Sequence, residues 1–182
     1  MVEYELVRHC APTLAGLKTA NLFSVFYNSE EELRNDIRDL NRRLGEKGLR
    51  VLPFSYKNNR ALIYVYRPRK LAADLSGKLT EKFLSGKGYS PLKPGLCLSK
   101  LIWRIKNSRE FPHEIGFFLG YPAEDVIGFI DNKDSCKICG YWKVYHNEQD
   151  AKKTFLAFNR CTECLCCKSK QGVPLNELAV AT

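Results

Sequence analysis

Ser29-Glu-Glu-Glu-Leu-Arg-Asn-Asp-Ile-Arg-Asp-Leu-Asn-Arg-Arg-Leu-Gly45, then Leu49-Arg-Val-Leu-Pro-Phe-Ser-Tyr56 and Ala61-Leu-Ile-Tyr-Val-Tyr66, is the stretch that decides the fold class. Ser29 and Glu32 form a capping box: a hydroxyl that accepts from the first turn, and a carboxylate at the third helical position. Leu33, Ile37, Leu40 and Leu44 then recur at helical spacing, while Arg34, Arg38, Arg42 and Arg43 occupy the other faces. Gly45 or Gly48 ends this helix. The two runs that follow are rich in β-branched and aromatic residues and flank Lys57-Asn-Asn-Arg60, which predicts a hairpin. Asn58 and Asn59 tolerate the positive φ of a tight turn, and Pro53 places the first strand at a sheet edge or a bulge.

Upstream, Pro12 and Gly16 punctuate the chain, so residues 1–20 are expected as a short helix or turn and a loop. Asn21–Tyr27 reads as a strand. Downstream, a helix is expected from Arg69 to about Ser85, then a linker over Gly86–Gly95. Leu98, Leu101, Ile102 and Ile105 make another apolar stripe. Pro112 and Pro122 each stand where a short helix would begin. Tyr141–Tyr145 is expected as a strand and Asn147–Phe158 as a helix with Ala151, Thr154, Phe155 and Phe158 inward. The mixture, with at least five helices, one hairpin and no repeat, predicts an α+β (or α/β) fold around a small sheet. The expected organisation is a core domain over 1–132 with a cysteine-rich C-terminal subdomain over 133–182 packed on it.

The 182 residues, 45% hydrophobic and 27% charged, suit a folded globular chain rather than a disordered one. No apolar run approaches the ~20 residues that span a bilayer. Met1-Val-Glu-Tyr-Glu-Leu-Val-Arg-His-Cys10 has no basic flank followed by an apolar core, so no signal peptide is expected. A cytoplasmic location with reduced thiols is therefore expected. The net charge of +9 is concentrated between Arg34 and Arg109. Such a surface attracts nucleic acid or small anions when it is not simply a solvated face.

Six of the eight cysteines fall between Cys136 and Cys167. Cys136-Lys-Ile-Cys139 and Cys161-Thr-Glu-Cys164 are two C-x-x-C pairs, each able to place two sulfurs on one ion. Zinc held by Cys136, Cys139, Cys161 and Cys164 is the metal expectation, with His146, Cys166 and Cys167 as spare ligands. An iron–sulfur cluster using Cys161, Cys164 and Cys166 or Cys167 is the alternative; reduced thiols packed as small apolar groups need no metal. Two further pairs carry candidate chemistry. His9 beside Cys10 could activate a thiolate, with Lys18 adding positive charge. His113 beside Glu114 could serve as an acid/base pair, although a glutamate opening a helix has a purely structural reading too. Phe54, Tyr56, Tyr64 and Tyr66 beside the arginines would suit base stacking, if they are not needed in the core.

Four separated motifs carry a resemblance over nearly the whole chain. They are His9-Cys-Ala-Pro-Thr-Leu-Ala-Gly-Leu-Lys18, Asn59-Arg-Ala-Leu-Ile-Tyr-Val-Tyr-Arg-Pro68, Phe111-Pro-His-Glu-Ile-Gly116 and Gly140-Tyr-Trp-Lys-Val-Tyr145. Together they resemble a bacterial family catalogued as domain of unknown function 3793, from mainly anaerobic organisms. The resemblance implies a one-domain cytosolic protein and brings no activity with it. The family pattern has cysteines matching Cys139 (or Cys136) and Cys161; the second member of each pair and the Cys166-Cys167 doublet stand outside it.

The functional expectation is a protein that binds a small anionic molecule, with thiol or metal chemistry at His9-Cys10. Cys10, His9, His113 and Glu114 are the candidate catalytic residues, Lys18 and Arg60 the candidate anion contacts, and the four paired cysteines a structural metal clamp. Two alternatives are a non-enzymatic module that docks nucleic acid or a partner protein, and a metal-handling or redox-sensing protein. No reaction is named by these residues.

Overall fold

The computed structural model of the chain describes residues 2–132 and 134–181; Met1, Lys133 and Thr182, which end the segments expected above, lie outside the described residues. The architecture is α+β, in two compact units: Met1–Arg69 with Arg160–Thr182, and Lys70–Asn159. The boundary expected at 132/133 falls inside the second unit.

The first unit is built on three antiparallel strands, β1 (Ala20–Phe26), β2 (Arg50–Lys57) and β3 (Arg60–Tyr66), in the order β1-β3-β2. The hairpin turn uses Asn58 and Asn59 at φ 52° and 56°, the left-handed region that asparagine tolerates. The β2–β3 register shifts between Pro53 and Ser55, so the edge strand bulges beside its proline. α2 (Glu30–Gly45) is capped by Ser29, whose hydroxyl accepts from the Glu32 amide, and buries Leu33, Ile37, Leu40 and Leu44. α1 (Val2–Leu14) is longer than the punctuation predicts: Pro12 sits in its last turn, and Gly16 at φ 76° lets the chain leave. Leu6, Val7, Cys10 and Leu14 of α1 join the α2 stripe and Ala61, Ile63 and Val65 of β3 in one core. α9 (Leu175–Leu178) closes it with Leu175 and Leu178.

The second unit is mostly helical. The single helix expected over 69–85 is two, α3 (Pro68–Leu75) and α4 (Lys78–Gly86), because Gly77 takes an extended conformation between them. α5 (Pro94–Asn107) buries Cys97, Leu98 and Leu101. The helix expected from Pro112 is only one turn, α6 (Ile115–Phe118), and α7 (Ala123–Asp131) follows Pro122. The strand expected over 141–145 shrinks to β5 (Lys143–Val144), paired with β4 (Ile138–Cys139). α8 (Glu148–Lys170) runs on through Cys161, Cys164, Cys166 and Cys167 instead of stopping near Phe158. Its first half belongs to the second unit and its second half to the first. Among the described residues no helix is long and apolar enough to cross a membrane.

Candidate functional site

In the first unit, helical geometry separates the His9-Cys10 pair. Successive side chains on α1 point about 100° apart. His9 faces outward, with Nε2 3.2 Å from Glu5 Oε2 and its ring stacked on Phe23 at 5.3 Å. Cys10 faces inward at 0% exposure, and burial pushes its thiol up, with Lys18 acting weakly the other way. A thiol held neutral in the core is a packing group rather than a nucleophile. Lys18 is also buried and donates to the Ala20 carbonyl. Arg60 donates to Ser24 Oγ at 2.6 Å and lies 4.6 Å over the Phe26 ring. Lys18 thus meets β1 at its start, whereas Arg60 pairs with Phe26 at its end. The Arg60 guanidinium reaches Ser24, four residues along β1 from Ala20 and roughly 13 Å away. One small anion does not bridge them.

The buried Lys18–Cys10 pair gives the first unit a pH signature. Burial lowers Lys18 from 10.5 to about 7, opposed by the Cys10 charge. The unfolded chain therefore holds a proton on Lys18 that the folded chain lacks above pH 7, and stability rises with pH. Above pH 9.0 the unfolded Cys10 ionises while the folded thiol does not, so this contribution falls with pH. Urea unfolding is expected to show stability rising between pH 7 and 9, with a slope approaching about 1.4 kcal/mol per unit, and levelling above. Lys18→Met should abolish the rise.

In the second unit His113 and Glu114 border one notch of about 230 Å³, with Lys87, Arg104 and Ser108. Glu114 is committed to structure there. It is 3% exposed, accepts from the Tyr89 hydroxyl at 2.8 Å and pairs with Arg104 at 2.5 Å. Burial, and then this hydrogen bond, raise Tyr89 and keep it protonated. His113 instead meets Phe129 edge-on at 5.1 Å and faces a second, larger cavity.

That cavity, about 340 Å³, lies wholly within the second unit. Phe111, His113, Ile115 and Gly116 line one side, Tyr121, Asp125, Val126 and Phe129 of the α7 region another, and Cys139, Gly140, Trp142 and Lys143 of the β4–β5 hairpin the third. Asp125 fastens the hairpin to α7. Its Oδ2 accepts from Trp142 Nε1 at 2.8 Å, and its Oδ1 from the Tyr145 and His146 amides at 2.8 and 3.0 Å. At 3% exposure, that carboxylate is compensated by three donors. Trp142 stacks on Tyr121 at 5.3 Å and meets Phe155 edge-on at 4.6 Å. Burial pushes Tyr121 up to about 12, so it stays a neutral phenol. Two glycines make the walls close: a Cβ on Gly116 would come 2.7 Å from Val126, and one on Gly140 2.3 Å from Phe155. The resulting volume is that of a small-molecule site. Besides Asp125 and the Trp142 indole bonded to it, the polar side chains of the lining are His113, Tyr121, Cys139 and Lys143, of which Lys143 brings positive charge.

Of the expected site residues, His113 and Cys139 come together on this cavity. Cys136 and Cys139 belong to the second unit, Cys161 and Cys164 to the first. Among the described residues no group of three or more His, Cys, Asp and Glu side chains is placed to hold a metal ion. His146 is exposed, with Nδ1 3.4 Å from Asp125 Oδ1. The arginines of α2 are largely paired: Arg34 with Glu30, Arg42 with Asp39, and Arg43 with Asp39 and Glu3. Phe54 and Tyr64 are fully buried and Tyr56 lies beneath Arg34. The four rings do not form an open stacking platform.

Asp125, Trp142, Lys143, Tyr121 and Phe129 were not singled out by the sequence reading. Trp142 and Lys143 stand in Gly140-Tyr-Trp-Lys-Val-Tyr145, which with Phe111-Pro-His-Glu-Ile-Gly116 supplies seven of the lining residues, whereas Tyr121, Asp125 and Phe129 lie in neither motif. The family model described as Protein of unknown function (DUF3793) matches residues 6–179, and the chain belongs to that family. No curated protein and no solved structure matches it.

Proposed function

We propose that this member of the DUF3793 family binds a small molecule in its second unit, one with a flat apolar body and an anionic group. The observation that carries the reading is the cavity of about 340 Å³ bounded by Phe111, Tyr121, Phe129 and Trp142, with Lys143 in its wall. Aromatic walls favour a planar apolar guest, and Lys143 adds a positive charge to the lining. The Lys143 ammonium, 5.6 Å from the Phe129 ring, is held at the apolar surface where a charged hydrogen bond gains strength.

The flat anionic dye 8-anilinonaphthalene-1-sulfonate and its neutral parent N-phenyl-1-naphthylamine test this. Both are expected to bind saturably at one site. Lys143→Met should weaken the anionic probe about tenfold, a loss of about 1.4 kcal/mol, and leave the neutral probe unchanged. Trp142→Ala should weaken both. Binding that does not saturate, or that ignores both substitutions, would overturn the proposal.

A further inference from the structure

The C-terminal half of α8 carries a second feature, separate from the cavity and lying within the first unit. Cys161, Cys164 and Cys167 follow one another at three-residue steps and so share one stripe of the helix. Cys164 and Cys167 are exposed and Cys161 is half-buried. Cys166 lies off the stripe and packs, with Leu165, against the core of the first unit.

Side chains three apart on a helix have Cβ atoms roughly 5–6 Å apart. Two metal–sulfur bonds of about 2.3 Å laid end to end span about 4.6 Å. Neighbouring thiols of the stripe therefore close on one linearly coordinated ion by side-chain rotation alone. Arg160 and Lys168 sit four residues before and after Cys164, where their charges offset those of two thiolates. The three-residue spacing offers the sulfurs of the stripe in neighbouring pairs, and among the described residues no group of three or more ligating side chains is placed to hold a metal ion. Soft, two-coordinate d¹⁰ ions accept such a pair, whereas zinc and iron–sulfur clusters call for four ligands.

We infer that Cys161 and Cys164 form a two-thiolate site on α8 for a soft monovalent cation of the copper(I) type, with Cys167 next in line on the same stripe. The balance is simple: two thiols and one Cu⁺ give a bis-thiolate complex of net charge −1 and release two protons. No oxidant or reductant is consumed. Arg160 and Lys168, one turn away on either side of Cys164, are opposite in sign to the complex.

The experiment is an anaerobic competition titration of the reduced full chain with copper(I) against bicinchoninate, whose coloured complex reports the copper left unbound. About one equivalent per chain is expected to be withheld, with affinity rising with pH as the two protons leave. Cys164→Ser, at an exposed position, should lower the affinity about 100-fold. Cys161→Ser, which leaves the Cys164–Cys167 pair, should lower it less, and Cys136→Ser, outside both the stripe and the cavity lining, should match the unaltered chain. Undiminished affinity in Cys164→Ser would overturn the inference, as would loss of binding in Cys136→Ser.

Discussion

Arg67→Met is expected to lower the melting temperature by about 10 °C or more, one of the two largest losses predicted for this chain. Arg67 is 1% exposed, and its guanidinium spends its fork on backbone carbonyls. Nε donates to Thr13 at 2.7 Å, Nη1 to Lys47 at 3.0 Å, and Nη2 to both Leu14 and Val180 at 2.7 Å. One side chain thereby ties the end of α1, the turn after α2 and the C-terminal segment to the end of β3. Burial lowers its pKa, yet an arginine remains charged at any pH at which proteins fold. Methionine fills much of the volume and leaves four carbonyls without this donor, at about 1–3 kcal/mol for each that stays dry. Loss of about 4 kcal/mol is the expected order. Lysine restores the charge without the planar fork, so Arg67→Lys should recover less than half of it. Thermal unfolding followed by circular dichroism measures both; a shift under about 3 °C for Arg67→Met would show that the four bonds contribute little.

Asp125→Asn is expected to abolish probe binding at the cavity and to cost about 2–4 kcal/mol of stability. The substitution is nearly isosteric, so its effect is electronic. Both carboxylate oxygens accept, one from the Trp142 indole and one from two backbone amides. An amide side chain must turn its NH₂ toward one of these sets, opposing donor to donor. The hairpin then loses its attachment to α7, and Trp142 and Lys143 leave the cavity wall with it. The near-ultraviolet circular dichroism of Trp142 should weaken in parallel with loss of 8-anilinonaphthalene-1-sulfonate binding. Full binding in Asp125→Asn would show that the hairpin is held by packing alone, through Phe155 and Tyr121.

Local signals were read correctly where the physics is local. The α2 stripe of Leu33, Ile37, Leu40 and Leu44 is buried as its spacing demands, and Ser29 caps it. The Asn58-Asn59 turn and the bulge beside Pro53 follow from what those residues permit their own backbone. Reading failed where an element depends on distant partners. Asp125 stands in the first turn of a helix, where an acid is ordinarily a complement to the helix dipole. Its acceptors are claimed by groups 17 to 21 residues later, which no local pattern announces. The helix expected over Asn147–Phe158 runs on as α8 to Lys170, through the cysteines.

The sequence by itself determined the α+β class, the hairpin, the principal amphipathic helix and the family. Each rests on periodicity, capping or turn chemistry within a few residues, or on motifs that stand intact in the chain. Only the tertiary structure decided what the candidate residues can do. It turned Cys10 into the core and His9 away from it, and placed Lys18 and Arg60 at opposite ends of β1. It also drew Phe111, His113, Tyr121, Phe129, Trp142 and Lys143 around one cavity. Burial and direction are properties of the packed chain, set by which faces meet, and side-chain chemistry follows from them.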